Sequence, residues 1–80
     1  MLRILMERVE GGYYAEVSEA EFGSETDRGG ATIAELVNSS LDWAGMDLPP
    51  AMKFKDEDSL DDIRRALKAY RAEVTIFTDF

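Results

Sequence analysis

Five carboxylates fall between residues 16 and 27, at Glu16, Glu19, Glu21, Glu25 and Asp27, and no Lys or Arg lies among them up to Asp27. A second group, Asp56, Glu57, Asp58, Asp61 and Asp62, repeats the pattern later in the chain. Side chains of this type at this density can do three things. They can work as an acid/base pair, hold a hard cation, or receive a positively charged surface.

The first use needs a cleft that raises the pKa of one carboxyl and grips a sugar, as in glycoside hydrolysis. A chain of 80 residues buries a thin core and has little room for such a cleft. There is no His and no Cys, so the commonest general base and the strongest side-chain nucleophile are both missing. Ser18, Ser24, Ser39, Ser40 and Ser59 stand in no nucleophile motif. A carboxylate-dependent enzyme is therefore the least supported reading, and none is expected.

A calcium loop starting at Asp56 fails on spacing. The EF-hand wants an acid or amide at its fifth position, Gly at its sixth and Glu at its twelfth, where this chain has Leu60, Asp61 and Leu67. The glycine pairs Gly11-Gly12 and Gly29-Gly30 lack the Lys and the spacing of a phosphate-binding loop and read as turns. No metal and no cofactor is expected.

The third use fits the bulk charge. Seventeen acids against nine bases give a net charge of −8. That disfavours nucleic acid and anionic membrane as direct ligands, because both are bound through Lys and Arg. It favours a basic protein. Alternate side chains on one strand face lie roughly 6.6–6.8 Å apart, about two nucleotide steps along a DNA strand, so a ribbon of carboxylates can imitate phosphates in a basic groove. The expected partner is a basic nucleic-acid-handling protein. Tyr14 and Trp43 are the candidate aromatic anchors beside the charges, with Trp43 read first as packing on the sheet. Phe22 and Phe80 are read as core, or as the cover of a sheet edge. Plainer explanations compete: acidity keeps a small protein in solution, the first cluster can be a solvated strand face, and Asp58, Asp61 and Asp62 are what a helix N-terminus prefers.

The elements that must position these residues follow from periodicity. Leu2, Ile4 and Met6 alternate with Arg3, Leu5 and Glu7, as in a strand with one buried face. Glu10-Gly11-Gly12 supplies a hairpin turn, and a second strand puts Tyr13, Ala15 and Val17 opposite Tyr14, Glu16 and Ser18. Residues 21–26 read as a short third strand and residues 28–30 as a loop. Thr32 and Glu35 form a capping box, and Ile33, Leu36, Val37, Leu41 and Ala44 share a helical face that Gly45 ends before Pro49-Pro50. Residues 51–55 read as an edge strand. Ser59 and Asp62 open a second helix with Leu60, Ile63, Leu67 and Tyr70 as its stripe and Asp61–Arg65 as a favourable pair. Residues 74–78, Val-Thr-Ile-Phe-Thr, form a β-prone final strand. The expectation is a single α+β domain over residues 1–80, a small antiparallel sheet of three to five strands with two helices packed on one face.

Residues 2–6 are too short for the apolar core of a signal peptide, and no apolar run approaches the ~20 residues of a membrane span. With no cysteine, a cytoplasmic location is expected. The sequon at Asn38-Ser39-Ser40 carries no weight without an export signal.

Between Ile4 and Leu41, Gly11-Gly12-Tyr13, Ala15-Glu16-Val17, Gly23 and Thr32-Ile33-Ala34-Glu35 come in an order that resembles the HicB-type antitoxin domain. The resemblance covers about half the chain. It departs from the family pattern in lacking Pro-Gly before the third strand and in a longer stretch over residues 25–30, and a helix and strand stand where the family often adds a DNA-binding module. It implies an acidic protein that neutralises a small basic RNA-cleaving toxin, without catalysis. In size and charge, though in no motif, the chain is also similar to acidic phage inhibitors of host defence such as anti-CRISPR proteins, which would make the partner a CRISPR effector rather than a nuclease toxin. The competing class is a self-associating structural domain, a homodimer formed through an exposed sheet edge.

Overall fold

In a computed structural model describing residues 1–80, the alternation at the start of the chain becomes strand β1, Leu2–Val9. Leu2, Ile4 and Met6 are fully buried, while Arg3, Leu5 and Glu7 are exposed. A two-residue turn with Gly11 at φ +81° returns the chain as β2, Gly12–Glu19, antiparallel to β1. Gly12 has a separate duty. A side chain there would run into the backbone carbonyl of Gly30, where the third strand leaves for the first helix.

Strand β3 is Ser24–Gly30 and pairs antiparallel with β2 from Glu19↔Ser24 to Tyr13↔Gly30. It thus absorbs the Arg28-Gly29-Gly30 segment expected as a loop. The β2 ladder supplies hydrogen-bond partners along the whole segment, and this outweighs the poor strand propensity of Asp and Gly. Phe22, expected as core or edge cover, is instead 77% exposed in the turn between β2 and β3.

Helix α1, Ile33–Trp43, starts as its capping residues dictate. The Thr32 hydroxyl accepts the Glu35 amide at 3.1 Å, and the Glu35 carboxylate accepts the Ala31 amide at 2.8 Å. Gly45, at φ +69°, follows its C-terminal cap. Residues 51–55 are not a strand. A 3₁₀ turn at Pro50–Met52 leads into an extended stretch whose Phe54 is clamped by Asn38: the side-chain amide donates to the Phe54 carbonyl at 2.9 Å and accepts its N–H at 3.3 Å. A single side chain does what a neighbouring strand would otherwise do.

Helix α2, Leu60–Tyr70, is capped by the Ser59 hydroxyl, which accepts the Asp62 amide at 3.1 Å. It buries Ile63 and Leu67, while Tyr70 is exposed. The charge pair on its first turn is Asp62–Arg65 at 3.1 Å rather than Asp61–Arg65. Strand β4, Val74–Thr78, then pairs with β1 in parallel, from Leu2↔Val74 to Met6↔Thr78. The sheet order is β3-β2-β1-β4. It is therefore mixed rather than wholly antiparallel, because β4 returns only after both helices have crossed over, and that crossover delivers it in the direction of β1.

The domain is α+β with both helices on one face. Leu2, Ile4, Met6, Ala15, Val17, Val74 and Ile76 from the sheet meet Ala34, Leu36, Val37, Leu41, Ile63 and Leu67 from the helices in one core, with Trp43 half-buried against it. At one end of this layer Phe80 packs on Tyr13, ring centroids 5.9 Å apart, under the Arg8 guanidinium. No helix is long and apolar enough to cross a membrane.

Candidate functional site

The helices cover one face of the sheet and leave the other bare. Strand register sets its side chains in rows. Across the middle row run Phe77 of β4, Leu5 of β1, Glu16 of β2 and Asp27 of β3. Beside it run Thr75, Arg3, Ser18 and Glu25, and on the other side Glu7 and Tyr14. The face therefore grades from an apolar half at β4 and β1 to an acidic half at β2 and β3. A shallow hollow of about 760 Å3 lies over it, lined among others by Arg3, Leu5, Glu16, Asp27 and Phe77.

Of the first acidic cluster, the fold brings together Glu16, Glu25 and Asp27. All three are exposed and none is in an ion pair. Glu16 and Asp27 stand directly opposite each other on neighbouring strands, an arrangement of like charges that costs stability. The only basic side chain on the face, Arg3, lies over the Phe77 ring at 5.0 Å from its centroid. Tyr14 is half-buried in the same face. Its hydroxyl is held above the ordinary tyrosine pKa by hydrogen bonding to Asp27, then by desolvation and the charges of Asp27, Glu16 and Glu7.

Glu19 and Glu21 do not belong to this group. Glu19 pairs with Leu2, so its side chain points to the helical side, and it is only 5% exposed. Its Oε1 accepts the Glu21 amide and the Met1 amino group, each at 3.0 Å, and these bonds hold its carboxyl below the usual glutamate pKa. A two-residue period separates Glu16 from Glu19, which the run of acids in the sequence conceals. Glu21 is exposed in the turn that follows.

The second cluster lies on the helical side and is tied into local structure. Asp56 accepts the Thr32 hydroxyl at 2.9 Å, Asp58 accepts the Lys55 amide at 2.8 Å, and Asp62 pairs with Arg65. Asp61 sits in the first turn of α2, where negative charge suits the helix dipole, and Glu57 is exposed. Glu16, Glu25 and Asp27 thus lie on the side of the sheet opposite to the second cluster, and the two clusters form no single surface.

No three acidic side chains converge closely enough to ligate a metal ion. Away from both clusters, at the end of α1, the Asp47 pKa is raised by hydrogen bonding to Asp42, by desolvation and by the Asp42 charge. Missed from the sequence were Arg3, Leu5 and Phe77 as members of the face. Leu5 and Phe77 are 49% and 41% exposed, and their place outside the apolar alternation of β1 and β4 was the available signal. Comparison of the chain with protein-family models, with curated proteins and with solved structures finds no match.

Proposed function

We propose that this chain is a non-enzymatic inhibitor that lays the bare face of its sheet on the basic, nucleic-acid-handling surface of a partner protein and blocks it. The observation that carries this reading is the middle row. Phe77 and Leu5 offer exposed apolar area beside Glu16 and Asp27, neither of which is in an ion pair. Interface energy concentrates in a few apolar or aromatic anchors, and surrounding charge of the right sign speeds and selects the encounter. Glu25 and Asp27 stand two residues apart on one strand face, the repeat that relates to phosphate spacing. A nuclease toxin or a CRISPR effector would present such a basic channel, in keeping with the antitoxin-like and anti-CRISPR-like resemblances. The acids on the face are solvent-exposed, which suits recognition better than acid catalysis.

The test is capture of proteins from lysate at about 50 and about 500 mM salt, where screening of surface charge differs strongly. The wild-type chain should retain a basic protein at low salt and lose most of it at high salt. A Glu16→Lys, Glu25→Lys, Asp27→Lys variant should retain none while keeping its melting temperature. Equal capture by both proteins would reduce the acidic half of the face to a solvated surface. Glu19 is left out of the variant because its carboxylate is part of the fold.

A further inference from the structure

We infer that the free edge of β3 receives an extended basic segment of the partner by strand addition, with alternate Lys or Arg side chains of that segment meeting Glu25 and Asp27. This rests on the face-binding proposal and adds how the partner is held.

The direction of each backbone group follows from alternation along the strands. The Leu2 amide donates to the Glu73 carbonyl at 2.8 Å and the Asp79 amide to the Met6 carbonyl at 3.0 Å, so the even residues of β1 face β4. Its odd residues face β2, as the bond from the Ala20 amide to the Met1 carbonyl at 3.2 Å continues to show. Glu16 and Ser18 therefore face β1, and Ala15 and Val17 face β3, where Arg28 and Thr26 close the ladder. The N–H and C=O groups of Glu25, Asp27 and Gly29 are left pointing outward. All three residues are exposed, and no turn, loop or cap bond reaches them.

The opposite edge is guarded. In β4 the even residues point outward, yet the Val74 amide is taken by the Arg71 carbonyl at 2.9 Å and the Ile76 carbonyl by the Arg64 guanidinium at 3.0 Å. Two of the outward groups on the β4 edge are thus taken by α2 and its cap, whereas none of those on the β3 edge is.

Charge decides the occupant. A second copy adding antiparallel to β3 would set Glu25 against Asp27, or Asp27 against itself, and like charges directly opposite are destabilising. A strand with Lys or Arg at alternate positions turns the same positions into favourable pairs, and a strand added at the usual ~4.8 Å spacing brings them within reach.

The probe is the peptide acetyl-Thr-Lys-Thr-Lys-Thr-Lys-Thr-amide, titrated into isotope-labelled protein at about 20 mM salt to limit screening. Strand addition predicts slowed amide exchange and the largest shifts at Glu25, Asp27 and Gly29. Asp27→Pro removes an outward amide that β2 does not use, while Asp27→Asn removes the charge and keeps the amide. The first should weaken binding at least ~10-fold and the second only about 2- to 3-fold, since Asp27→Pro loses the backbone bond as well as the charge, and one solvent-exposed charge contributes little by itself. Glu25→Pro gives the same contrast should Asp27→Pro fail to fold. Shifts centred on Leu5, Glu16 and Phe77, with the proline variant binding as well as Asp27→Asn, overturn strand addition and leave the face-binding proposal standing. Absence of peptide binding also overturns it, whereas the face-binding proposal falls only when the Lys variants capture as much protein from lysate as wild type.

Discussion

Arg64, on α2, donates a hydrogen bond of 3.0 Å to the carbonyl of Ile76, an outward-facing group at the middle of the β4 edge. A five-residue strand rich in Val, Ile, Thr and Phe is the kind that pairs with other chains when its edge is bare. The guanidinium fills the place that a neighbouring strand would take. Replacing it in Arg64→Ala should cost about 1 kcal/mol of stability for the lost bond and promote concentration-dependent self-association. Light scattering across a concentration series checks this, and an unchanged mass would show that Arg64 does not guard the edge.

Phe77 tests the apolar half of the bare face. Phe77→Ala removes an exposed ring and the platform under Arg3, so stability should change by no more than ~1 kcal/mol. Partner capture should fall at least ~10-fold if the ring is an anchor. The two readings separate cleanly: melting temperature reports the fold, and retained partner reports the interface.

Tyr14 reports whether Asp27 sits where the register places it. The raised pKa of its hydroxyl means that the folded state keeps the proton longer than the unfolded chain. The stabilising contribution is thus fully present below the ordinary tyrosine pKa and is lost as pH rises through the raised value. Phenolate absorbance should show one of the three tyrosines titrating late, absent in Tyr14→Phe and shifted back toward the ordinary range in Asp27→Asn.

Glu19 has the opposite sign. Its pKa is depressed by the Glu21 amide and then by the Met1 amino group, so its contribution is present above the unfolded glutamate pKa and disappears as pH falls through the lower folded value. Glu19→Gln should be less stable than wild type at neutral pH, and the gap should narrow as the pH is taken toward about 3. Urea midpoints at several pH values give the comparison. A gap that stays constant would mean that the charge is not what holds this side chain.

Much of the architecture was legible because it is written in local periodicity and capping. The alternation of residues 2–7 marked β1, and the Thr32 and Ser59 hydroxyls marked both helix starts, because their chemistry depends only on residues three positions away. The direction of β4 was not legible from residues 74–78, since a β-prone strand reads alike whether it runs with or against its neighbour. Residues 51–55 looked like a strand for a related reason: past the 3₁₀ turn the backbone is extended at Lys53, but the partner of Phe54 is the Asn38 side chain, sixteen residues earlier. In the candidate site, the acidic stretch was visible but its division was not. Glu16, Glu25 and Asp27 share a face only through pairing across two strands, while Glu19 is turned to the other side by its odd offset from Glu16.

The first strand of the chain lies between β2 and the last one, and this has a consequence for synthesis. As the polypeptide leaves the ribosome, the hairpin and both helices can assemble while one flank of Leu2–Met6 still lacks its neighbour. Only when residues 74–78 emerge can that flank be sealed, so closure joins the two most distant parts of the sequence and bears the entropy of the longest loop in the domain. Until then that edge of β1 has no strand to pair with.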